Sequence, residues 1–115
     1  GAAGRRCLGS SEHTDWGFLT LILQDGVGGL EFAVRRLDGT TEWVPVEPRP
    51  GALVCNGGDF LSLVTRGRFV SPVHRVQPPP DGRERLSFVY FGYPSYDMPL
   101  TAIPGWDDLA AAACR

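Results

Sequence analysis

Two histidines and one aspartate in this sequence have the residue types and the spacing of a metal-binding set. One residue separates His13 from Asp15, and His74 is the only other histidine in the chain. In a β-strand, side chains two residues apart point to the same face, so His13 and Asp15 can present an imidazole and a carboxylate to one ion. With His74 as third ligand, the set is typical of a non-heme Fe(II) site.

Each part of this pattern also has a simpler interpretation. A His-x-Asp sequence is a short motif, and such a pair is usually two solvated polar residues at a strand end. A single histidine beside Val73 and Val76 is more often a core residue bonded to a backbone carbonyl than a ligand. The metal interpretation therefore needs support from elsewhere in the chain.

Arg85 and Ser87 supply that support, because the same two-residue spacing places a guanidinium and a hydroxyl on one strand face. An arginine binds a carboxylate through two parallel hydrogen bonds, and a serine adds one more donor. The alternative is a surface ion pair with Glu84 or Asp81, which would contribute little. An arginine in a strand with the apolar run 86–91 is costly to bury without an anion, which favours a dicarboxylate co-substrate.

The composition is that of one small folded domain. The 115 residues are 43% hydrophobic and 21% charged, within the ordinary globular range. A net charge of −2 without a basic stripe argues against nucleic acid as a partner. Three cysteines without a Cys-x-x-Cys pair predict a reducing, cytoplasmic location. We expect no membrane partner, since no apolar run is long enough to span a bilayer and no leader sequence is visible.

Short apolar segments separated by Gly and Pro predict an antiparallel sandwich or jelly roll. The predicted strands are 7–15, 18–24, 30–36, 42–46, 52–55, 68–76 with a break at Pro72, and 85–91. The run at 18–24 is nearly continuous in apolar residues and predicts a buried strand. Residues 60–65 fit either a strand or one helical turn. Residues 106–115 predict a short terminal helix.

Taken together, these motifs resemble the isopenicillin-N-synthase-like class of 2-oxoglutarate/Fe(II)-dependent dioxygenases, over nearly the whole chain up to about Asp97. The resemblance is carried by His13-Thr14-Asp15-Trp16-Gly17, Leu19-Thr20-Leu21, Gln24-Asp25, Gly28-Gly29-Leu30, Trp43-Val44-Pro45, Pro50-Gly51-Ala52-Leu53-Val54, Asn56, Gly58-Asp59, Thr65, Gly67-Arg68-Phe69, Ser71, His74-Arg75-Val76 and Arg85-Leu86-Ser87.

This resemblance implies a double-stranded β-helix, or jelly roll, over residues 1–97 and a tail with a short helix over residues 98–115. It implies that His13, Asp15 and His74 are the iron ligands and form the catalytic centre. Arg85 and Ser87 would hold the distal carboxylate of 2-oxoglutarate. Fe(II) is the implied metal, 2-oxoglutarate the implied co-substrate, and ascorbate a further candidate cofactor.

The implied activity is oxidation of a small organic substrate by O2, as hydroxylation, desaturation or ring closure, with release of succinate and CO2. Three alternatives remain open: a catalytically silent jelly-roll binding module, an iron oxidase that does not use 2-oxoglutarate, or an interaction domain without a metal. The resemblance also implies a monomer once an N-terminal region is present.

The N-terminal helices and the co-substrate-binding tyrosine of this class are not identifiable in the sequence. If Arg85, Ser87, Val89 and Phe91 face the metal, strand parity directs the side chains between them outward. Leu86, Phe88 and Tyr90 would then form a face too apolar for water. We therefore expect this chain alone to bind a hydrophobic dye or to aggregate.

Overall fold

The fold is built around two paired strands that carry His13 and His74. A computed structural model describes residues 9–104 of the chain. In this range the chain forms seven strands and one short helix. They are β1 (Ser10–His13), β2 (Leu19–Gln24), β3 (Leu30–Arg35), β4 (Thr41–Pro45), β5 (Val54–Gly57), α1 (Asp59–Val64), β6 (His74–Val76) and β7 (Ser87–Gly92).

The strands form two antiparallel sheets. The first has the order β1-β6-β3-β4 and the second the order β5-β2-β7. In the first sheet His13 pairs with His74, and Phe32 pairs with His74 from the other side. In the second sheet Thr20 lies between Asn56 of β5 and Phe91 of β7. The prediction of a mainly-β chain with short antiparallel strands is confirmed.

The central strand β2 is buried on one face only, which corrects the prediction of a strand buried throughout. Thr20 and Ile22 are buried, whereas Leu19 and Leu23 on the opposite face are 37% and 46% exposed. Burial alternates along β2 because successive side chains point to opposite faces of the sheet, and only one of these faces is packed against other residues. Sequence could not separate these faces, because Leu residues occupy the exposed positions as well.

Two other predicted elements differ from the structure. Of the segment predicted as a strand over 68–76, only His74–Val76 is a strand. Before it the chain turns sharply, with positive φ at Arg66 and Gly67, and then passes through Pro72, which cannot donate to a ladder. The ambiguous segment at 60–65 is the helix Asp59–Val64.

The ends of several predicted strands also shift. β1 ends at His13, so Asp15 lies beyond the strand rather than within it. β5 begins at Val54 and extends to Gly57, because Asn56 and Gly57 continue the pairing with β2. The predicted helix over 106–115 and the first residues of the predicted strand 7–15 lie outside the described residues.

A cluster of charged side chains connects three strands of the first sheet on the side of β6 away from His74. Arg75 donates to Glu31 at 2.8 Å and to Glu12 at 3.2 Å, and its guanidinium lies 3.9 Å from the centre of the Trp43 ring. Hydrogen bonds from Gln77 and Arg75 hold the pKa of Glu31 below its usual value. The hydrogen bond to Glu31 raises the pKa of Arg75. This cluster stabilises the register that sets His74 opposite His13.

Candidate metal centre

The structure brings the three predicted ligand side chains together at one point between the sheets. The Nε2 atom of His13 lies 3.6 Å from Oδ1 of Asp15, and Nε2 of His74 lies 3.4 Å from the same oxygen. All three donor atoms lie within 4.8 Å of one another. Within residues 9–104, this is the one cluster of three or more histidine, cysteine or acidic side chains close enough to share an ion.

Strand pairing and a tight turn position these side chains. β1 and β6 place His13 and His74 directly opposite each other, with ring centres 4.3 Å apart. Asp15 follows two residues after the end of β1, in a turn that docks on the start of α1. There the Asp59 amide donates to the Asp15 carbonyl at 2.7 Å, and the Phe60 amide donates to the Trp16 carbonyl at 3.2 Å.

Glycine at position 58 is what lets this turn approach the helix. A Cβ atom at Gly58 would overlap the carbonyl oxygen of Gly17. Gly17 is itself in close contact with β7, since a Cβ there would lie 2.7 Å from the Gly92 carbonyl oxygen. Real side chains do not tolerate such contacts, so both positions require glycine for the Asp15 backbone to sit where it does.

Backbone carbonyls fix the orientation of both imidazole rings. His13 Nδ1 lies 2.7 Å from the Ser11 carbonyl, and His74 Nδ1 lies 3.1 Å from the Pro72 carbonyl. A carbonyl only accepts, which assigns the proton of a neutral ring to Nδ1 and leaves a lone pair on Nε2. This arrangement is the usual one for metal-binding histidines. His74 is therefore bonded to a carbonyl, as its simpler interpretation predicted, and also directs Nε2 at Asp15.

The donor set fits a divalent cation. Asp15 is 5% exposed, and within residues 9–104 the two imidazoles, and no Arg or Lys, lie within 4 Å of its carboxylate. Two nitrogen lone pairs and a buried carboxylate oxygen that face one another repel unless a proton or a metal cation lies between them. Ligand bonds of about 2.1 Å at right angles would separate neighbouring donors by about 3 Å, somewhat less than the 3.4 and 3.6 Å that separate Oδ1 of Asp15 from the two imidazole nitrogens.

Asn56 holds the second oxygen of the Asp15 carboxylate. Its Nδ2 donates to Oδ2 of Asp15 at 3.0 Å, and Asn56 is 7% exposed. The predicted strand ended at Cys55, and Asn56 was given no role in the site although it is one of the residues that carry the family resemblance. Neither signal identifies a partner 41 positions away.

Arg85 and Ser87 share one face, as strand parity predicted, although Arg85 lies just before the first residue of β7. Nη1 of Arg85 donates to Ser87 Oγ at 3.2 Å, Nη2 to Gln24 Oε1 at 3.1 Å, and Nε to the Gly28 carbonyl at 2.9 Å. Every one of these acceptors is neutral. The predicted alternative, an ion pair with Glu84 or Asp81, does not form in the part of the chain that the structure describes.

Asp25 fixes the backbone next to Arg85. Its carboxylate accepts hydrogen bonds from the Leu86 amide at 2.6 Å and from the Val27 amide at 3.0 Å. These two backbone donors, in that order, lower the pKa of Asp25 below its usual value, and the nearby charge of Arg85 adds to the effect. The turn after β2 is thereby tied to the start of β7, where Arg85 and Ser87 are placed.

One cavity of about 390 Å³ joins His13, Asp15 and His74 to Arg85. It is lined by residues from both sheets. They are Gly9, Ser10, His13, Asp15, Thr20, Ile22, Leu30, His74, Val76, Gln77, Pro79, Arg85, Ser87, Val89 and Phe91. The cavity thus contains three potential metal ligands and the positively charged Arg85 side chain, with apolar side chains between them.

Sequence comparisons identify relatives over most of this chain. Residues 4–94 match the 2OG-Fe(II) oxygenase superfamily. The chain is 39% identical over 92% of its length to a 1-aminocyclopropane-1-carboxylate oxidase of Dictyostelium mucoroides. It is 48% identical over 78% of its length to a 2-oxoglutarate-dependent dioxygenase of Didymella fabae. The matched regions make up 28% and 26% of those two proteins, so the chain spans about a quarter of their length.

Solved structures give the same assignment. The dioxygenase for auxin oxidation 1 from Arabidopsis thaliana, in its binary complex with 2-oxoglutarate, matches 86% of this chain and 36% of its own, at 36% identity and a TM-score of 0.74. The dioxygenase for auxin oxidation of rice matches 93% of this chain and 40% of its own, at 33% identity and a TM-score of 0.73. The chain therefore belongs to the 2OG-Fe(II) oxygenase superfamily.

Proposed function

We propose that this chain is the iron-carrying core of a 2-oxoglutarate-dependent dioxygenase. His13, Asp15 and His74 are the metal ligands and the catalytic centre, and Arg85 and Ser87 bind the co-substrate. The observation that carries the proposal is the convergence of two imidazole Nε2 atoms on one oxygen of a buried carboxylate that no Arg or Lys among residues 9–104 neutralises.

The Fe(II) ion, when bound, supplies the electron chemistry with O2 that amino-acid side chains lack. His13, Asp15 and His74 would hold the ion, and a two-histidine, one-carboxylate set leaves further positions for other ligands. Hydrophobic side chains on β2 and β7, including Ile22 and Val89, line the space between the triad and Arg85 and keep it poor in competing polar groups.

Arg85 is the binding group for the distal carboxylate of 2-oxoglutarate. Its hydrogen-bond acceptors are all neutral, and the Asp25 carboxylate is near enough to feel its charge without being hydrogen-bonded to it, so a carboxylate of the co-substrate would be its direct anionic partner. The Ser87 hydroxyl accepts one guanidinium hydrogen and has its own proton to donate to a carboxylate oxygen. A keto diacid long enough to reach the triad then has one carboxylate at each end of the cavity.

The fold that goes with this function is a double-stranded β-helix, or jelly roll, over residues 1–97, with residues 98–115 as a tail. Two facing antiparallel sheets and the likeness to solved dioxygenases support it. The organic substrate is a small molecule, oxidised by O2 with release of succinate and CO2. A cytoplasmic location and a monomeric full-length protein remain predictions.

Anaerobic titration with Fe(II) and 2-oxoglutarate tests this proposal. If both bind at one centre, a weak visible charge-transfer band appears only when metal and keto acid are present together. Succinate release on admitting air then indicates turnover. A band without succinate would favour the catalytically silent binding module. No band when both ligands are present together, in a folded protein, would contradict the proposal.

A further inference from the structure

The two oxygens of the Asp15 carboxylate lie in different surroundings. Oδ1 faces both imidazole Nε2 atoms, at 3.6 Å from His13 and 3.4 Å from His74. Oδ2 instead accepts a hydrogen bond from Nδ2 of Asn56 at 3.0 Å. Only Oδ1 is therefore directed at the point where the three ligand groups meet, while Oδ2 is already occupied by a donor from the chain.

The chemistry of its neighbours fixes the orientation of the Asn56 amide. Its NH2 group donates to Oδ2 of Asp15 and also lies 3.3 Å from the Gly57 carbonyl, and both of these partners only accept. The reversed amide would place Oδ1 of Asn56 against the carboxylate, which is repulsive. Pairing with Thr20 holds the backbone of Asn56 in the sheet, which limits how far the amide can follow a carboxylate that rotates.

We infer that Asn56 is a positioning residue that keeps Asp15 a one-oxygen ligand. The inference rests on the proposed function, because it concerns how the triad holds its metal. A six-coordinate ion with three protein ligands has three positions left, two for a chelating keto acid and one for dioxygen. A second bond from Asp15 would take one of them. The Asn56 amide competes for Oδ2 and so keeps that position free.

The test compares Asn56→Leu with the unaltered protein, using Co(II) alone as the probe. Leucine has a similar volume and no donor. The infrared difference spectrum of Co(II) binding, with and without 13C-labelled aspartate, gives the separation of the two aspartate carboxylate stretches, which is wide for one-oxygen and narrow for two-oxygen coordination. We expect a wide separation in the unaltered protein and a narrower one in the variant. Co(II) affinity should fall by roughly 10- to 100-fold, as is usual when a residue that orients a ligand is lost.

Two further variants keep the test decisive. Thr65→Val removes a similarly buried hydrogen bond, from Thr65 Oγ1 to the Leu61 carbonyl, and should leave the separation unchanged. Asn56→Ser, with a shorter polar side chain, replaces Asn56→Leu if the latter does not fold. An unchanged separation in the Asn56 variant, or an equal change in Thr65→Val, would overturn the inference while the proposed function stands. An unaltered protein that binds no Co(II) would overturn both.

Discussion

Asp15 is the residue on which the proposed site depends, since within residues 9–104 its buried carboxylate has two imidazoles and no Arg or Lys within 4 Å. A cation between them would relieve the repulsion of three converging acceptors. The two histidines differ in solvent exposure, since the His13 side chain is 43% exposed and the His74 side chain is 6% exposed. His13 is thus on the open side of the site, where the metal would enter.

Fe(II) should stabilise the folded protein through Asp15. A ligand at about 100 times its Kd adds about 2.7 kcal/mol to the free energy of unfolding, provided that it does not bind the unfolded chain. Anaerobic thermal unfolding with and without Fe(II) measures this gain. Asp15→Ala should abolish it. A gain of the same size in the variant would show that iron binds elsewhere.

Arg85→Ala should keep the metal and lose the co-substrate. Removing the charged partner of a buried carboxylate costs about 2–5 kcal/mol, which lowers 2-oxoglutarate affinity by tens- to thousands-fold. Calorimetric titration of both ligands measures the two affinities separately. Arg83→Ala removes the same charge from an exposed position two residues earlier and should bind 2-oxoglutarate normally. Equal loss of iron and keto acid in Arg85→Ala would contradict the division of roles.

At the scale of elements, strand pairing positions the two histidines, whereas turns position Asp15 and Arg85. Asp15 stands in the turn that docks on α1, and Arg85 stands just before β7, beside the Asp25 carboxylate. These turns connect elements that are far apart in the chain. A substitution in either turn should therefore act on a site residue that it does not touch.

Gly58→Ala should destabilise the contact between the Asp15 turn and α1. The added methyl overlaps the Gly17 carbonyl oxygen, and neither backbone segment can move without breaking hydrogen bonds between them. We expect a loss of about 1–3 kcal/mol in the free energy of unfolding, the usual range for overpacking. Denaturant unfolding measures it. Gly26→Ala, where an added Cβ meets no atom within 4 Å, is the control. Equal losses in both variants would contradict the account.

Asp25→Asn should make the free energy of unfolding vary less with pH in the acid range. The Leu86 and Val27 amides lower the folded-state pKa of Asp25 below its ordinary value of 3.8. A depressed pKa gives stability that is present above pH 3.8 and lost as the pH falls through the lower folded-state pKa. The variant should thus be less stable than the unaltered protein at neutral pH, with the difference shrinking below pH 3.8. Asp81→Asn, on an exposed loop, is the control, and a pH-independent difference would contradict the prediction.

The sequence predicted which segments form the strands of the site more accurately than it predicted where those strands end. Alternation placed Arg85 and Ser87 on one face correctly, because parity depends only on local spacing. The same argument placed Asp15 inside a strand, which is wrong, because β1 ends two residues earlier. Asn56 was missed as a partner of Asp15, since a hydrogen bond over 41 positions depends on strand order, which no local pattern contains.

At the scale of the whole molecule, the outer face of β7 is apolar and open. Leu86 is 62% exposed, and Phe88 and Tyr90 are each 66% exposed, as strand parity predicted. Leu23 of the neighbouring strand extends the same face, opposite Phe88. Contiguous apolar surface of this kind is unusual for a protein that stays monomeric.

The chain of 115 residues alone should therefore bind a hydrophobic dye or self-associate. Fluorescence of an added dye and light scattering measure these properties. Phe88→Lys should reduce both without changing metal affinity, because residue 88 points away from the cavity. Val89→Lys introduces the same charge on the cavity face of the same strand and is the control. It should impair binding of metal and 2-oxoglutarate inside the cavity. A monodisperse, dye-silent preparation would contradict this prediction.

The central claim is that His13, Asp15 and His74 share one ferrous ion. Crystals grown anaerobically with Fe(II) and measured at the iron absorption edge test it most directly, since the anomalous signal locates iron without reference to any assumed ligand. We predict one strong peak within bonding distance of both Nε2 atoms and of Oδ1 of Asp15. A fully loaded crystal with its iron peak elsewhere, or with no peak beside these three atoms, would contradict the account.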